Sequence, residues 1–410
     1  MRHWILAGLT LAATVHIARA DTVADWNEAA DALELRLEKA LPRNTIVPLA
    51  HQDEDGTVAL AIFEAANAAD RRYASYLGLP AATTTTSGEA AIAQAAHDVL
   101  RAKYPEEAAT LDQSLALDLS HIAESPAKQA GIDLGKSVAK TVLARPEFDP
   151  ARAQPYRPQT TPGVFTVPVL LSWPTGIETF HPFFLDDAAI ARMMPPPPPP
   201  LTSETYARSY NEVKDLGEKT STVRDAAGTA NAKFWASGNE PSHALRAIDS
   251  RLGRSLVQNA RTYALMRMAL ADARHLHVIA KFRYMAWRPL TAIRNGDTTG
   301  NPAITRKADW EPLLQTPRHP EYPCGHCTFA ETTAVILAAE AGPRTDDIYF
   351  ANADMPGAVA YVKSWDDYVQ QVNLSRIQAG VHFRFSAEAA VVMARQVAQL
   401  ALEKFAPPLK

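Results

Sequence analysis

Apolar side chains recur at helical spacing through residues 21–147. Val58, Ile62, Ala65 and Ala66 form one stripe, and Ala91, Ala95, Val99 and Leu100 another. Intervals of three and four place such residues on one face of a 3.6-residue helix. Residues 112–122 and 131–144 predict further helices, and the many alanines favour close helix approach. Past residue 203 the helical pattern returns over 203–216, 255–287, 328–340, 355–379 and 387–405. The stretch 255–287 is long and mostly apolar, and nearly all its charges are basic, which predicts a central helix with a wide buried face. No period-two strand pattern, Gly-rich phosphate loop or long internal repeat interrupts this, so the fold class expected is all-α.

Between the two helical regions the pattern breaks. Prolines recur over 150–202, and Met194 is followed by six of them, Pro195 to Pro200. Proline lacks the N–H a helix needs, so this run is extended or polyproline II. Phe165, Trp173, Phe180, Phe183 and Phe184 are embedded in it, which predicts a stiff connector packed on the surface rather than a free linker. The chain thus divides into residues 1–20, an N-terminal helical region 21–149, a Pro-rich connector 150–202 and a C-terminal helical domain 203–410.

Composition adds exclusions. With 47% hydrophobic and 21% charged residues the chain of 410 reads as globular. A formal net charge of −4 gives no general affinity for nucleic acid or anionic membrane, so any anion site must be local. A basic start (Met1-Arg2-His3-Trp4), an apolar stretch over residues 5–18 and Ala18-Arg19-Ala20 match a cleaved signal peptide. That run is shorter than the ~18–20 residues that span a bilayer, so export to the periplasm or medium is expected, without stable membrane insertion. Nothing in the composition speaks against a homo-oligomer.

Three clusters carry candidate chemistry. Lys281 and Arg288 are seven apart, nearly two helical turns, so both cations lie on one face about 10 Å apart at the backbone. Pro289 pushes Arg288 out of helical conformation and ends the helix. A buried cation needs an anionic partner. Next comes Tyr322-Pro323-Cys324-Gly325-His326-Cys327, opening a helix whose first N–H groups and positive dipole end favour an anion. Gly325 allows close backbone approach, and His326 could move a proton near neutral pH. Finally, Arg376 lies near a helix end and His382 in the turn that follows Gly380.

The two cysteines, Cys324 and Cys327, are compatible with free thiols, a structural disulfide or a redox pair. Cys-Gly-His-Cys also serves as the active site of protein disulfide isomerases, but no strand–turn–helix setting surrounds it here. His275 and His277 sit two apart on a helix and are poor joint metal ligands. Asp53-Glu54-Asp55 and Asp366-Asp367 read as solvated turns or helix faces.

In order, Lys-x6-Arg-Pro, Pro-x-Gly-His and Ser-Arg-x5-His resemble the signature of the type 2 phosphatidic acid phosphatase and vanadium haloperoxidase superfamily. The resemblance extends over essentially the whole chain after residue 20. It includes the Ala-rich helix around 65–76, the polyproline run leading into 206–217, and Trp287-Arg288-Pro289-Leu290-Thr291-Ala292-Ile293. These look like the soluble bacterial haloperoxidase-like branch.

The resemblance implies helical bundles with an oxyanion at their core. Lys281, Arg288 and Arg376 would neutralise its oxygens, helped by the Gly325 amide and by Cys324. His382 would be the covalent partner, as a phosphohistidine nucleophile or as the ligand of vanadate, and His326 the general acid–base. No free metal cation is implied. Two departures stand out. The family usually has serine at Cys324 and often an acidic residue at Ser386, where a carboxylate can orient the second histidine. Ser386 has its own explanation as the N-cap of the last helix, and Glu388 is near enough in sequence to substitute.

The main expectation is a phosphate-ester hydrolase needing no cofactor and acting on a small-molecule phosphate ester. The alternative is a vanadium-dependent haloperoxidase that takes peroxide and halide, with vanadate as cofactor. Chain length and the two-part helical build favour the second. A thiol beside activated peroxide favours the first, unless it is already locked in a disulfide. A non-catalytic oxyanion-binding protein is a further alternative.

Overall fold

One helix, α10 (Leu256–Tyr284), is buried along nearly its whole length and organises the rest. It has 29 residues, about 43 Å at the rise of an α-helix. Apolar side chains leave it in every direction, among them Tyr263, Leu265, Met266, Met268, Leu276 and Val278. Its N-terminus is closed by Ser255, whose N–H donates to Gln258 Oε1 at 3.0 Å. The computed structural model describes residues 21–40, 54–146, 161–166, 180–236, 240–343, 349–352, 355 and 357–409.

The N-terminal region supplies α1 (Thr22–Ala40), α2 (Glu54–Ala69), α3 (Gly88–Lys103), α4 (Ala108–Ser120) and α5 (Pro126–Leu143). Helix α2 lies against α10 and is backed by α3 and α5. Ser87 and Ser125 cap α3 and α5, accepting from Ala90 N and Lys128 N at 3.2 Å each. The expected close approach is found between α3 and α5. A Cβ on Gly131 would stand 2.5 Å from Ser87 O, and one on Gly135 2.6 Å from Ala91 O, so only glycine fits.

The described parts of the connector, 161–166 and 180–202, pack against the helices. Phe180, Phe183 and Phe184 are buried, and the N–H groups of Phe183, Phe184 and Leu185 all donate to the Asp272 carboxylate on α10. Tyr322 OH donates to Pro196 O at 2.7 Å, and Tyr284 OH to Pro195 O. The polyproline run is thereby strapped across the end of α10. Trp173 and the expected signal peptide, residues 1–20, lie outside the described residues.

After the short α6 (Asp187–Met193) come α7 (Glu204–Leu216), α8 (Ala226–Phe234), α9 (Glu240–Leu252), α10 and α11 (Pro289–Arg294). The chain closes with α12 (Gly325–Ala341), α13 (Trp365–Gln378) and α14 (Arg384–Lys404). Helices α12 and α14 pack on α10 and on each other, and α13 packs on α12. A single hydrophobic core runs through both helical regions, from Val58, Ile62 and Val99 to Met266, Leu337, Tyr368 and Phe405.

Among the described residues the fold is all-α apart from one small sheet. Where a helix is expected over 355–379, strand β1 (Tyr349–Ala351) pairs antiparallel with β2 (Val359–Tyr361), Tyr349 opposite Tyr361. Val359, Ala360 and Tyr361 alternate in exposure, and their β-branched and aromatic side chains suit a half-buried ribbon. Helix α13 starts only at Trp365, where Ser364 Oγ accepts from Asp367 N at 3.1 Å. Helix α10 ends at Tyr284 rather than 287 because Met285 turns left-handed (φ 49°) and its N–H bonds Lys281 O. The emerging residues pair instead with the connector: Trp287 N–H donates to Gly163 O and Phe165 N–H to Met285 O. Among the described residues no helix is long and apolar enough to cross a membrane.

Candidate active site

The three sequence clusters converge at one end of the C-terminal helices. The last turn of α10 carries Lys281, and Arg288 is the N-cap residue of α11. Cys324 caps α12, and Gly325 and His326 are its first two residues. Arg376 projects from the last turn of α13. His382 follows in the turn to α14. That turn depends on Gly380, whose φ is +78° and where a Cβ would stand 2.5 Å from Gly217 O.

All three cations are buried, Lys281 and Arg288 to 1% exposure and Arg376 to 4%. Main-chain carbonyls aim them. Lys281 Nζ donates to the carbonyl oxygens of Pro320, Glu321 and Pro323 at 2.9, 3.0 and 2.5 Å. An ammonium has three donors, so Lys281 pins the 320–323 loop and acts on the pocket through its charge. Arg288 donates from Nε to His319 O (2.9 Å) and from Nη1 to Val381 O (2.8 Å) and His382 Nε2 (3.1 Å). Arg376 Nη1 donates to Trp235 O at 2.7 Å, just past the end of α8.

Against these cations the pocket sets the fully buried Glu321 carboxylate. Glu321 Oε1 accepts from His382 Nδ1 at 2.8 Å and from Phe383 N at 3.0 Å. Burial pushes the Glu321 carboxyl up, while Arg288 and Lys281 pull it back. The histidines shift the other way. Burial, then Arg288 and Lys281, hold His382 well below its ordinary value. His326 is lowered by burial and Arg376. It keeps partial exposure, and its Nε2 lies 3.4 Å from Ala236 O, the carbonyl after the one that holds Arg376. A buried cluster with more positive than negative side chains, and histidines of lowered pKa, is one that an anion completes.

Two members of this cluster escaped the motif reading. His319 faces Arg288 Nη2 through its Nδ1 at 3.0 Å, and burial with Arg288 keeps it deprotonated. Glu321 is the other. Both stand in His319-Pro320-Glu321, immediately before the Tyr322–Cys327 motif, and that adjacency was the available signal. His277, read from the sequence only as a poor metal ligand, is buried near the site. A Cβ on Gly325 would lie 3.4 Å from its Nε2.

Several expectations change. Ser386 is not the cap of α14. Phe383 takes that position, the helix starts at Arg384, and Ser386 sits buried in the first turn beside Glu321. Glu388 is exposed on α14 and does not replace the missing carboxylate. Cys324 offers no S–H to an anion, because it forms a disulfide with Cys327. Both sulfurs lie in an apolar cluster with Ala387 and Ala390 of α14. Among the described residues no group of histidine, cysteine and carboxylate ligands could hold a metal cation.

Residues 261–409 match the family model of the second helical-bundle domain of vanadium chloroperoxidase. That match covers the stretch holding Lys281, Arg288, His326, Arg376 and His382, and it agrees with the superfamily that the ordered motifs resemble. The fold is similar to that of solved vanadium-dependent haloperoxidases. A bacterial vanadium-dependent iodoperoxidase superposes with TM-score 0.75 at 21% identity, covering 95% of this chain and 96% of that one. A holo bacterial vanadium-dependent chloroperoxidase gives 0.66 at 19% identity over 88% and 93% of the two chains. The apo form of a bacterial vanadium-dependent chloroperoxidase gives 0.66 at 18% over 90% and 97%. At such identities the likeness is one of fold. No curated protein matches the sequence.

Proposed function

We propose that this protein is a member of the phosphatidic acid phosphatase and vanadium haloperoxidase superfamily that works as a vanadium-dependent haloperoxidase, joining hydrogen peroxide, halide and a proton to give hypohalous acid and water. The observation that carries this is His382, whose Nε2 accepts from Arg288 inside a buried pocket shared with Lys281 and Arg376. Vanadate, a tetrahedral oxyanion, fits that donor set. Arg288 and Arg376 would hold its oxygens, Lys281 would add charge, the Gly325 amide would face it from the α12 N-terminus, and His382 Nε2 would bind its central atom. Bound there, vanadate supplies a Lewis acid that activates peroxide toward halide.

The chain's own residues do the rest. His326 handles the peroxide proton. Burial and then Arg376 lower its pKa, and an anion held beside it would offset the second of these effects. The fixed guanidinium groups stabilise negative charge without reorganisation, because carbonyls already aim them.

The same pocket could hydrolyse a phosphate ester through His382, and two considerations favour the peroxidase instead. The solved relatives of matching length are named as vanadium-dependent iodo- and chloroperoxidases. In addition, both cysteines are paired in a disulfide, so the site holds no free thiol for an oxidant to consume. The sequence of residues 1–20 supports export, where such a disulfide persists.

A paired assay tests the proposal: iodide or bromide oxidation by peroxide, and hydrolysis of a chromogenic phosphate monoester, each with and without vanadate. Halide oxidation that requires vanadate and is suppressed by excess phosphate is the expected result. Ester hydrolysis inhibited by vanadate, with no halide oxidation, would replace this reading with the phosphatase. Vanadate binding with neither activity would leave a non-catalytic oxyanion binder.

A further inference from the structure

Glu321 does more than add a negative charge. Guanidinium groups donate hydrogen bonds and cannot accept them, so the 3.1 Å contact from Arg288 Nη1 makes His382 Nε2 an acceptor without a proton. The neutral ring therefore carries its proton on Nδ1, which lies 2.8 Å from Glu321 Oε1. That oxygen also accepts the Phe383 N–H at 3.0 Å, so it is a true acceptor and its position relative to the 382–383 backbone is fixed. The same residue's carbonyl receives Lys281 Nζ at 3.0 Å. Glu321 thus ties Lys281 on α10 to His382 in the α13–α14 turn. The carboxylate that the motif lacks at Ser386 is delivered by the loop that opens α12, which sets Glu321 beside Ser386.

We propose that Glu321 is a positioning residue that locks His382 in the Nδ1–H tautomer and turns its Nε2 lone pair toward the bound oxyanion. This rests on the oxyanion reading of the pocket but not on which reaction the pocket runs. The carboxylate also increases the basicity of the ring, as an outer partner does for a ligating histidine. The other titratable and charged groups facing the pair are Lys281 from α10, Arg288 ahead of α11, His319 and Tyr322 in the loop, Arg376 on α13 and Tyr206 on α7. Removing the Glu321 charge leaves His382 among cations alone.

The test is histidine 15N NMR on the anion-free full chain, comparing wild type with Glu321→Gln and Glu321→Ala. Wild type should show His382 protonated on Nδ1 and bare on Nε2 throughout pH 6–8. Glu321→Gln keeps an acceptor oxygen of nearly the same shape, so it should keep the tautomer while making Nε2 less basic. Glu321→Ala should populate the Nε2–H form. Vanadate affinity or turnover should fall in Glu321→Gln by about 10–100-fold, the range for loss of an outer partner to a ligating histidine. Should Glu321→Ala fail to fold, Glu321→Gln still decides through the Nε2 shift. Identical ring signals and unchanged vanadate affinity in Glu321→Gln would overturn the proposal. A protein silent in every activity assay but showing the tautomer shift would sink the peroxidase reading and leave this one standing.

Discussion

Two histidines in one chain meet opposite surroundings. His97, on α3, is held between carboxylates: Nδ1 lies 2.8 Å from Asp98 Oδ1 and Nε2 2.8 Å from Asp112 Oδ1. Both partners are acceptors, so the geometry asks for a doubly protonated ring, and the two hydrogen bonds raise its pKa against the lowering effect of burial. His382 has one carboxylate and three nearby cations, and its pKa is lowered by burial and then by Arg288 and Lys281. The first histidine has its counter-ions inside the protein. The second is part of a pocket that is short of negative charge. Burial alone does not mark a functional histidine; an unbalanced set of charges around it does.

The comparison is broken most severely by His382→Ala. Turnover should fall to background while the far-ultraviolet circular dichroism spectrum stays native, since the ring lies in a turn rather than within a helix. Undiminished halide oxidation would remove His382 from the site. Arg288→Ala, which takes away a donor to Nε2 and a buried cation, should cost about 10²–10³-fold in kcat, as loss of one fixed oxyanion donor does. Vanadate affinity should drop with it.

Anion binding should move a pocket histidine and leave the carboxylate-clamped one alone. Saturating phosphate or vanadate is expected to raise the pKa of His326 in an NMR titration and leave His97 where it was. A shift at His97, or none at His326, would contradict the charge imbalance proposed for the pocket.

The stability effects are smaller and opposite in sign. His97 has a folded pKa above its ordinary 6.5, so its contribution is complete below that value and is lost as pH rises through the folded pKa. The pocket histidines have folded values below 6.5, so the anion-free protein loses their contribution as pH falls beneath it. Asp112 is half exposed, so the His97 term should be under about 1 kcal/mol. His97→Gln should flatten the pH dependence of Tm on the alkaline side of 6.5. An unaltered Tm–pH curve would show that the clamp carries no charge.

Much of this site was legible because its cations and two histidines stand in ordered motifs whose spacing survives folding. Helical periodicity did not place Arg288 on the face of Lys281, because α10 ends at Tyr284 and Arg288 is the extended cap of α11; only Pro289 signalled that it leaves the helix. The helical stripes through Val58 and Val99 were legible, since local period decides a helix face. Glu321 was not, because its contact with His382 joins residues 61 apart and exists only after α12 and α14 pack. Ser386 misled for a local reason: serine before an Ala-rich run looks like a cap, but α14 starts two residues earlier, at Arg384. The β1–β2 ribbon was hidden inside a segment whose apolar spacing also suits a helix, an ambiguity that short apolar runs carry.

The most direct measurement is the initial rate of iodide oxidation by hydrogen peroxide while vanadate is titrated into vanadate-free protein. The rate should begin at background, rise with vanadate and saturate at one vanadate per chain, with the His382→Ala protein flat throughout. Saturable vanadate binding with no halide oxidation at any occupancy would contradict the account.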